Sequence, residues 1–388
     1  MKRTFGVILV AAGIASCAGS DDDPKAVIDT ELDASVPEAS VDVDAATSDA
    51  ATTCESGWCP LAPPGIDLRR VLNAVWGTSA NDVWAVGTSG TIAHFDGTHW
   101  KTLESRTDQT LRAVWGSGAG DVWVASTPDV ILRSDGWQNG SATFTNVEAL
   151  PRVFFAKTTL TLAIWGASPA DVWVGGEAIP IDFDGLQYEQ AWRRLDPDVG
   201  PPWEGMPVAK LSEPVSLRAF WGSGVDDVWA VGGDDFLIMH EDGSQSAGSN
   251  GKTYHRTLDD AGVAQWAELD SRTTAILHGV WGTAGGDVWA VGRRGTIRRI
   301  ARGATRWEPV TSPTTENLRG LWGSSASDIW AVGDNGTVIH FDGTSWTSWS
   351  VPFEDGDKPN LHGIWGSGPN DVWAVGERGL VHFTGGAP

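Results

Sequence analysis

"DVWAVGTSGTIAHFDGTHW", running from Asp82 to Trp100, is the stretch whose reading decides the fold. A Trp lies near each end, a Gly-rich turn lies inside, and an Asp-Gly step precedes the close. The alternating, β-branched segments "DVWAV" and "TIAHF" read as strands, and Asp-Gly is a strong hairpin turn. The pattern returns as "DVWAVGERGLVHF" at Asp371. Between the two, a Trp-Gly step followed six residues after its Trp by Asp-Val/Ile-Trp recurs without interruption. The Trp-Gly steps begin at Trp76, Trp115, Trp165, Trp221, Trp281, Trp322 and Trp365. The matching Asp residues are Asp82, Asp121, Asp171, Asp227, Asp287, Asp328 and Asp371. Self-similarity at roughly this period with strand-type pattern indicates a propeller. Each unit holds four strand signals, so the expected fold is all-β: a seven-bladed β-propeller with four antiparallel strands per blade.

The chain has 23 Trp among 388 residues, and the repeat explains most of them. Seven stand in Trp-Gly steps and seven in Asp-Val/Ile-Trp steps. A fourth-strand slot is filled by Trp100, Phe144, Trp192, Trp266, Trp307 and Trp346. The last unit ends without its own aromatic, but "SGWCPLAPP" at Ser56 matches "TRWEPVTSP" at Thr305. Trp58 is therefore expected to supply the seventh, with the N-terminal segment adding a strand to the C-terminal blade. Closure of that kind hides free sheet edges. Broad aromatic rings, each burying roughly 150–250 Å², suit the wedge-shaped gaps between blades.

Upstream of the repeats the composition changes. "MKRTFGVILVAAGIASC" pairs Lys2 and Arg3 with an apolar run too short to span a bilayer, which reads as a signal peptide over residues 1–16. "IASC" resembles the bacterial lipobox, which implies lipidation of Cys17; Ala18 rather than Asp after it leans towards the outer membrane or cell surface. Residues 17–53 hold ten acids and one base with few large apolar side chains, and are expected to be a disordered tether. Residues 54–388 form the propeller, with 24 Lys and Arg against 40 Asp and Glu, a formal charge of -16. That balance excludes a nucleic-acid backbone as main partner. Cys54 and Cys59 in "CESGWC" suit a disulfide outside the cytoplasm.

"GTSGTIAHFDGTHW" and "GDNGTVIHFDGTSW" resemble Asp-box (BNR) repeats of bacterial propellers, among them the photosystem II assembly-factor-like proteins. "LRGLWGSSASDIWAVGDNGTVIHFDGTSW" is equally similar to tectonin repeats of propeller lectins. The first resemblance implies a monomeric, lipid-anchored scaffold binding a protein or acidic peptide; the second implies a lectin binding surface glycans. Catalysis is the least favoured class. The chain has no H-E-x-x-H, G-x-S-x-G or C-x-x-C, and no Arg-Ile-Pro of the kind a sialidase carries. No cofactor or metal is expected. The seven equivalent Asp residues are expected to bond turn N–H groups, since one active site would break the symmetry.

Function is therefore sought in departures from the repeat. Three residues before each Trp-Gly Trp stand Asn73, Arg112, Leu162, Arg218, His278, Arg319 and His362, with only Ala or Gly next. The first strand of a blade lies nearest the axis, so these form an expected ring at the channel mouth, suited to an anionic ligand. The opposing expectation is that each Arg pairs with a carboxylate of the adjacent blade. A second candidate is the blade-five cluster Arg293, Arg294, Arg298 and Arg299, either a partner contact or a solvated edge paired with acids such as Asp334. A third is Trp203 in "GPPWEGMP", read as a contact residue or as a plug holding its loop. In blade four, "GSQSAGSNGKTYHRTLDDAG" is expected to stretch the connection between third and fourth strands.

Overall fold

The computed structural model describes residues 57–385, apart from 64, 148, 151–159, 183–186, 195–201, 207, 209–214, 241–242 and 354–355, and apart from the side chains of 178–182 and 187–189. Seven four-stranded antiparallel sheets are arranged around one axis. Their innermost strands are Leu72–Ser79, Ala113–Gly118, Thr161–Ser168, Leu217–Gly224, Leu277–Gly282, Leu318–Ser325 and Leu361–Gly368. Within each sheet the chain runs outward strand by strand. Blade seven is the exception: Trp58–Leu61 is its outermost strand, pairing antiparallel with Gly379–Phe383 so that Trp58 faces Phe383 and Leu61 faces Leu380. The N-terminal segment therefore closes the ring as expected.

Two circumferential sets of Trp hold the blades together. In the first, each Trp-Gly Trp presses the outer edge of its six-membered ring against the Gly of the next blade. A Cβ on Gly366 would meet the Trp322 ring at 2.6 Å, and one on Gly77 would meet Trp365 at 2.8 Å, completing the circle. The Trp-Gly dipeptide is thus one interlock, with ring and receptor in adjacent positions. In the second set, the fourth-strand aromatic of each blade stands edge-on to the Asp-Val/Ile-Trp ring of the blade before. Trp58 meets Trp330 at 5.4 Å and 79°, and Trp100 meets Trp373 at 5.3 Å and 77°. Edge-to-face pairs of this kind are worth about 0.5–1.5 kcal/mol each beyond buried area.

The structure corrects three strand assignments. In blade three the outermost strand is Trp203–Met206, and Trp192 lies in the third strand, Gln187–Arg194. Trp203 takes the edge-on position against Trp123, at 6.2 Å and 87°. In blade four the extra residues lie between second and third strands. Asp235–Met239 and Gln245–Ser249 form a separate hairpin, and Lys252–Leu258 is the true third strand. Tyr254, and likewise Tyr188 in blade three, therefore sits within a third strand rather than in an insertion. At the end of this hairpin the Gly243 amide donates to the His240 carbonyl at 3.0 Å.

Candidate functional site: the channel mouth

The second residues of six innermost strands, and the residue just before that of blade two, meet around the axis. Asn73, Arg112, Leu162, Arg218, His278, Arg319 and His362 line one cavity of about 190 Å³. One alternation further along each strand, Val75, Val114, Ile164, Phe220, Val280, Leu321 and Ile364 close in beneath them. A polar ring therefore sits on an apolar floor, an arrangement that focuses the field of whatever charge the ring carries. The small residues between, Ala or Gly in every blade, let the strands crowd: a Cβ on Gly363 would lie 3.0 Å from the Ala74 backbone.

The three Arg are not equivalent. Arg319 makes a two-pronged pair with Asp334, its Nη2 donating to Oδ2 at 3.2 Å and its Nε to Oδ1. Arg218 donates from Nε to the Gly233 carbonyl at 3.3 Å and reaches Asp234 only at 3.9 Å. Among the described residues Arg112 has no hydrogen-bonded acid, and its Nε is buried without a partner. Both partnering acids belong to the same blade as their Arg, so the expected pairing across blades does not occur. Burial pushes the Arg112 and Arg218 guanidinium groups down from their ordinary value, weakly opposed by Glu177 at Arg112. Asp334 is held below the usual carboxylate range: burial is the largest single influence and acts against this, but the Arg319 and Asn317 hydrogen bonds together with the Arg319 charge outweigh it. Asn73 donates to the Leu111 carbonyl at 2.8 Å.

His278 and His362 are neutral members of the ring. Burial, then Arg218 and Arg319, lower His278 to about 3. Burial and Arg319 lower His362 likewise. The Nε2 atoms of both are buried without a partner. Three buried nitrogens of the mouth thus lack the hydrogen bond such groups usually have.

A second circle of polar residues was not recognised as a set from the sequence, although Arg293 and Asp334 were singled out separately. Asp234, Arg293, Asp334 and Glu377 follow the ends of second strands, and Glu177 takes the corresponding place within the longer second strand of blade three. The signal was there, one or two positions after the Gly that closes each Trp-x-x-Gly run, but it varies from blade to blade. Arg293 belongs with this mouth electrostatically, since it acts on both Arg218 and His278. Its own partner is Asp235 of the blade-four hairpin, at 2.7 Å.

The blade-five Arg cluster does not form one patch. Arg299 pairs with Asp287 and lies over Trp289 at 5.4 Å. Arg298 donates to the carbonyls of Ser271 and Arg272 at 3.1 and 2.9 Å. Arg294 adopts a left-handed turn conformation with φ of 55°. Asp334, the acid expected to neutralise this edge, is committed to Arg319. Trp203 is 1% exposed, which makes it a packing residue of the blade-two interface rather than a surface contact. Cys59 is disulfide-bonded. Cys54, its expected partner, and Cys17 lie outside the described residues.

The seven repeat Asp residues differ from expectation in what they bind. They accept from side chains: Asp82 from Thr78 at 2.5 Å and from the Trp84 indole at 3.0 Å, with His94 Nε2 at 2.7 Å. The third-strand partner is His94, His255, His340 or His382 in four blades and Arg133, Arg193 or Arg299 in three. That partner also packs on the blade's Trp, as His382 does on Trp373 at 3.7 Å and 12°. Sevenfold use marks these networks as structural. Among the described residues no cluster of three or more His, Cys, Asp or Glu could hold a metal, and no helix is long and apolar enough to cross a membrane.

No protein-family model and no curated protein matches the chain. Solved structures do. YCF48 bound to D1 peptide superposes with a TM-score of 0.58 at 16% identity, over 85% of this chain and 97% of that one. YCF48 from Cyanidioschyzon merolae superposes at 0.56 and 16% identity, over 84% and 98%. At this identity the likeness establishes the fold.

Proposed function

We propose that the propeller is a non-catalytic binding module that takes an acidic segment of a partner protein or peptide at its channel mouth. The observation that carries this is Arg112: a half-buried guanidinium, without a paired acid among the described residues, in a ring whose other Arg side chains face carboxylates. A partner carboxylate there would replace the missing hydrogen bond and offset the burial of the charge. The neutral His278 and His362 nitrogens are placed to bond the peptide backbone beside it. A structurally similar protein captured with a peptide supports a peptide partner. The signal-like N-terminus and Cys17 support an envelope protein held by a lipid, with residues 17–53 spacing the propeller from the membrane, the outer membrane or cell surface being the favoured site.

The test is capture of partners from native envelope by the intact chain and by a variant carrying Arg112→Gln, Arg218→Gln and Arg319→Gln. Binding should fall at least tenfold per folded molecule. Unchanged capture by a folded triple variant would overturn the reading. Cys17→Ser should release the protein from the membrane fraction; full membrane retention would remove the anchor but not the site.

A further inference from the structure

Towards the opposite face, where Trp221 lies three residues and about 10 Å beyond Arg218 at roughly 3.3 Å per residue, a separate cavity of about 270 Å³ opens between blades four and five. It is walled by Trp221, Trp229 and His255 on one side and by Ile300, Arg302 and Gly303 on the other. Its origin is a local break in the repeat. In five blades a residue near the end of the third strand covers the preceding blade's Trp. Phe95 does so against Trp373 at 5.1 Å, Phe341 against Trp289 at 4.8 Å and Phe383 against Trp330 at 4.9 Å. In blades three and four an Arg does it: Arg194 over Trp123 at 4.9 Å and Arg256 over Trp173 at 5.6 Å.

Two blades have no such residue. In blade two the position is Ser134, opposite Val122, and in blade five it is Ile300, opposite Val288. Blade two makes good the loss. Three residues on, Trp137 folds back and lies on His94 at 4.2 Å and 25°, with the Lys101 ammonium 5.4 Å from its ring. His94 is consequently 0% exposed. Blade five has Gly303 three residues on, with nothing within 4 Å of where its Cβ would be. There His255 stacks on Trp229 at 3.8 Å and 15°, its side chain 22% exposed, close to the 17% and 20% of His340 and His382. Arg302 lines the cavity and, among the described residues, makes no ion pair.

We infer that the cavity between blades four and five is a binding slot for one aromatic ring, the tryptophan side chain of a partner, held where Trp137 sits in the first interface. The protein's own Trp137 shows the chemistry: an indole stacked on an imidazole, with a cation over its outer face. His255 supplies the imidazole and Arg302 the cation. The volume is just below the 300–1,000 Å³ range of sites for larger ligands, which suits a single ring system. The ring is neutral, because Asp226 and Asp227 in the wall would repel an acidic group. This slot is independent of the channel mouth.

The experiment titrates the intact chain with N-acetyl-5-fluorotryptophanamide and with 5-fluoroindole, followed by fluorine NMR. One equivalent of each should bind. Ile300→Phe installs the ring that blades one, six and seven already carry in this register, and should weaken binding at least tenfold. Arg302→Ala, a change outside the packed core, should weaken it several-fold. Trp137→Ala should open the first interface and raise the stoichiometry to two. Binding unchanged in both Ile300→Phe and Arg302→Ala, or no binding to either wild type or Trp137→Ala, overturns the slot. Binding of the indole without the amide overturns its assignment to a partner side chain.

Discussion

The Trp-on-Gly interlock makes a sharp mutational forecast. Gly366 and Gly368 lie two residues apart on the innermost strand of blade seven, facing Val372 and Asp371. A methyl on Gly366 would lie 2.6 Å from the Trp322 ring and 2.7 Å from the Asp371 carbonyl oxygen. Neither neighbour yields cheaply, since one is wedged between blades and the other is ladder backbone. A methyl on Gly368 meets nothing within 4 Å. Overpacking of this kind costs about 1–3 kcal/mol. Unfolding entropy of about 2.1 cal/mol/K per residue, over about 330 residues, gives roughly 0.7 kcal/mol/K, so Gly366→Ala should lower Tm by about 1.5–4 °C. Gly368→Ala should leave Tm within about half a degree on the same scale. Scanning calorimetry of the two variants beside wild type decides it. Equal Tm for all three would refute the claim that the Gly serves as the receptor of the preceding blade's ring.

Trp58→Ala should cost about 3–5 kcal/mol, because Trp58 is 3% exposed and packs on both Trp330 and Phe383; denaturant unfolding reads the loss, and a change below 1 kcal/mol would argue against ring closure by that strand. His278, lowered to about 3 by burial and by Arg218 and Arg319, binds its proton less readily folded than unfolded. Its contribution is therefore present above the ordinary His value near 6.5 and is lost as pH falls towards 3. Imidazole NMR should find it neutral at pH 5, and Arg218→Gln should raise its pKa; a ring charged at pH 5 would contradict the buried mouth. Asp227, held at about 2 chiefly by His255, stabilises above pH near 4 and loses that effect as pH falls towards 2. Acid unfolding of His255→Leu should accordingly begin at higher pH.

The repeat made the architecture legible because each blade must present the same packing residues to its neighbours. Trp58 could be placed from a nine-residue likeness for that reason, and the seven mouth residues from their fixed offset to Trp-Gly. Blades three and four were misread where local signals imitate the repeat. "HEDG" reads like the Asp-Gly turns elsewhere, so the added hairpin passed for a third strand. Trp192 precedes a Leu-type ending as the fourth-strand Trp does, yet Trp203 alone stands opposite Arg194 in the ladder. The Asp partners were missed because His94 and Arg133 look unlike as residue types, although both supply a flat, nitrogen-bearing group that stacks on Trp and reaches the carboxylate. The inequality of the three mouth Arg could not be read either. It depends on acids one strand away, and only Asp334 comes within full reach.

The central claim, that a partner's acidic segment enters the channel mouth beside Arg112, is tested most directly by site-specific cross-linking. A photoreactive amino acid would replace Leu162, the one apolar member of the mouth ring, in the intact chain. A second chain would carry it at Asn81, in the turn at the opposite end of blade one's innermost strand. After irradiation in native envelope, the account predicts a partner adduct at Leu162 that disappears in Arg112→Gln and is absent at Asn81. An adduct at Asn81 alone, or one at Leu162 that survives Arg112→Gln undiminished, would contradict it.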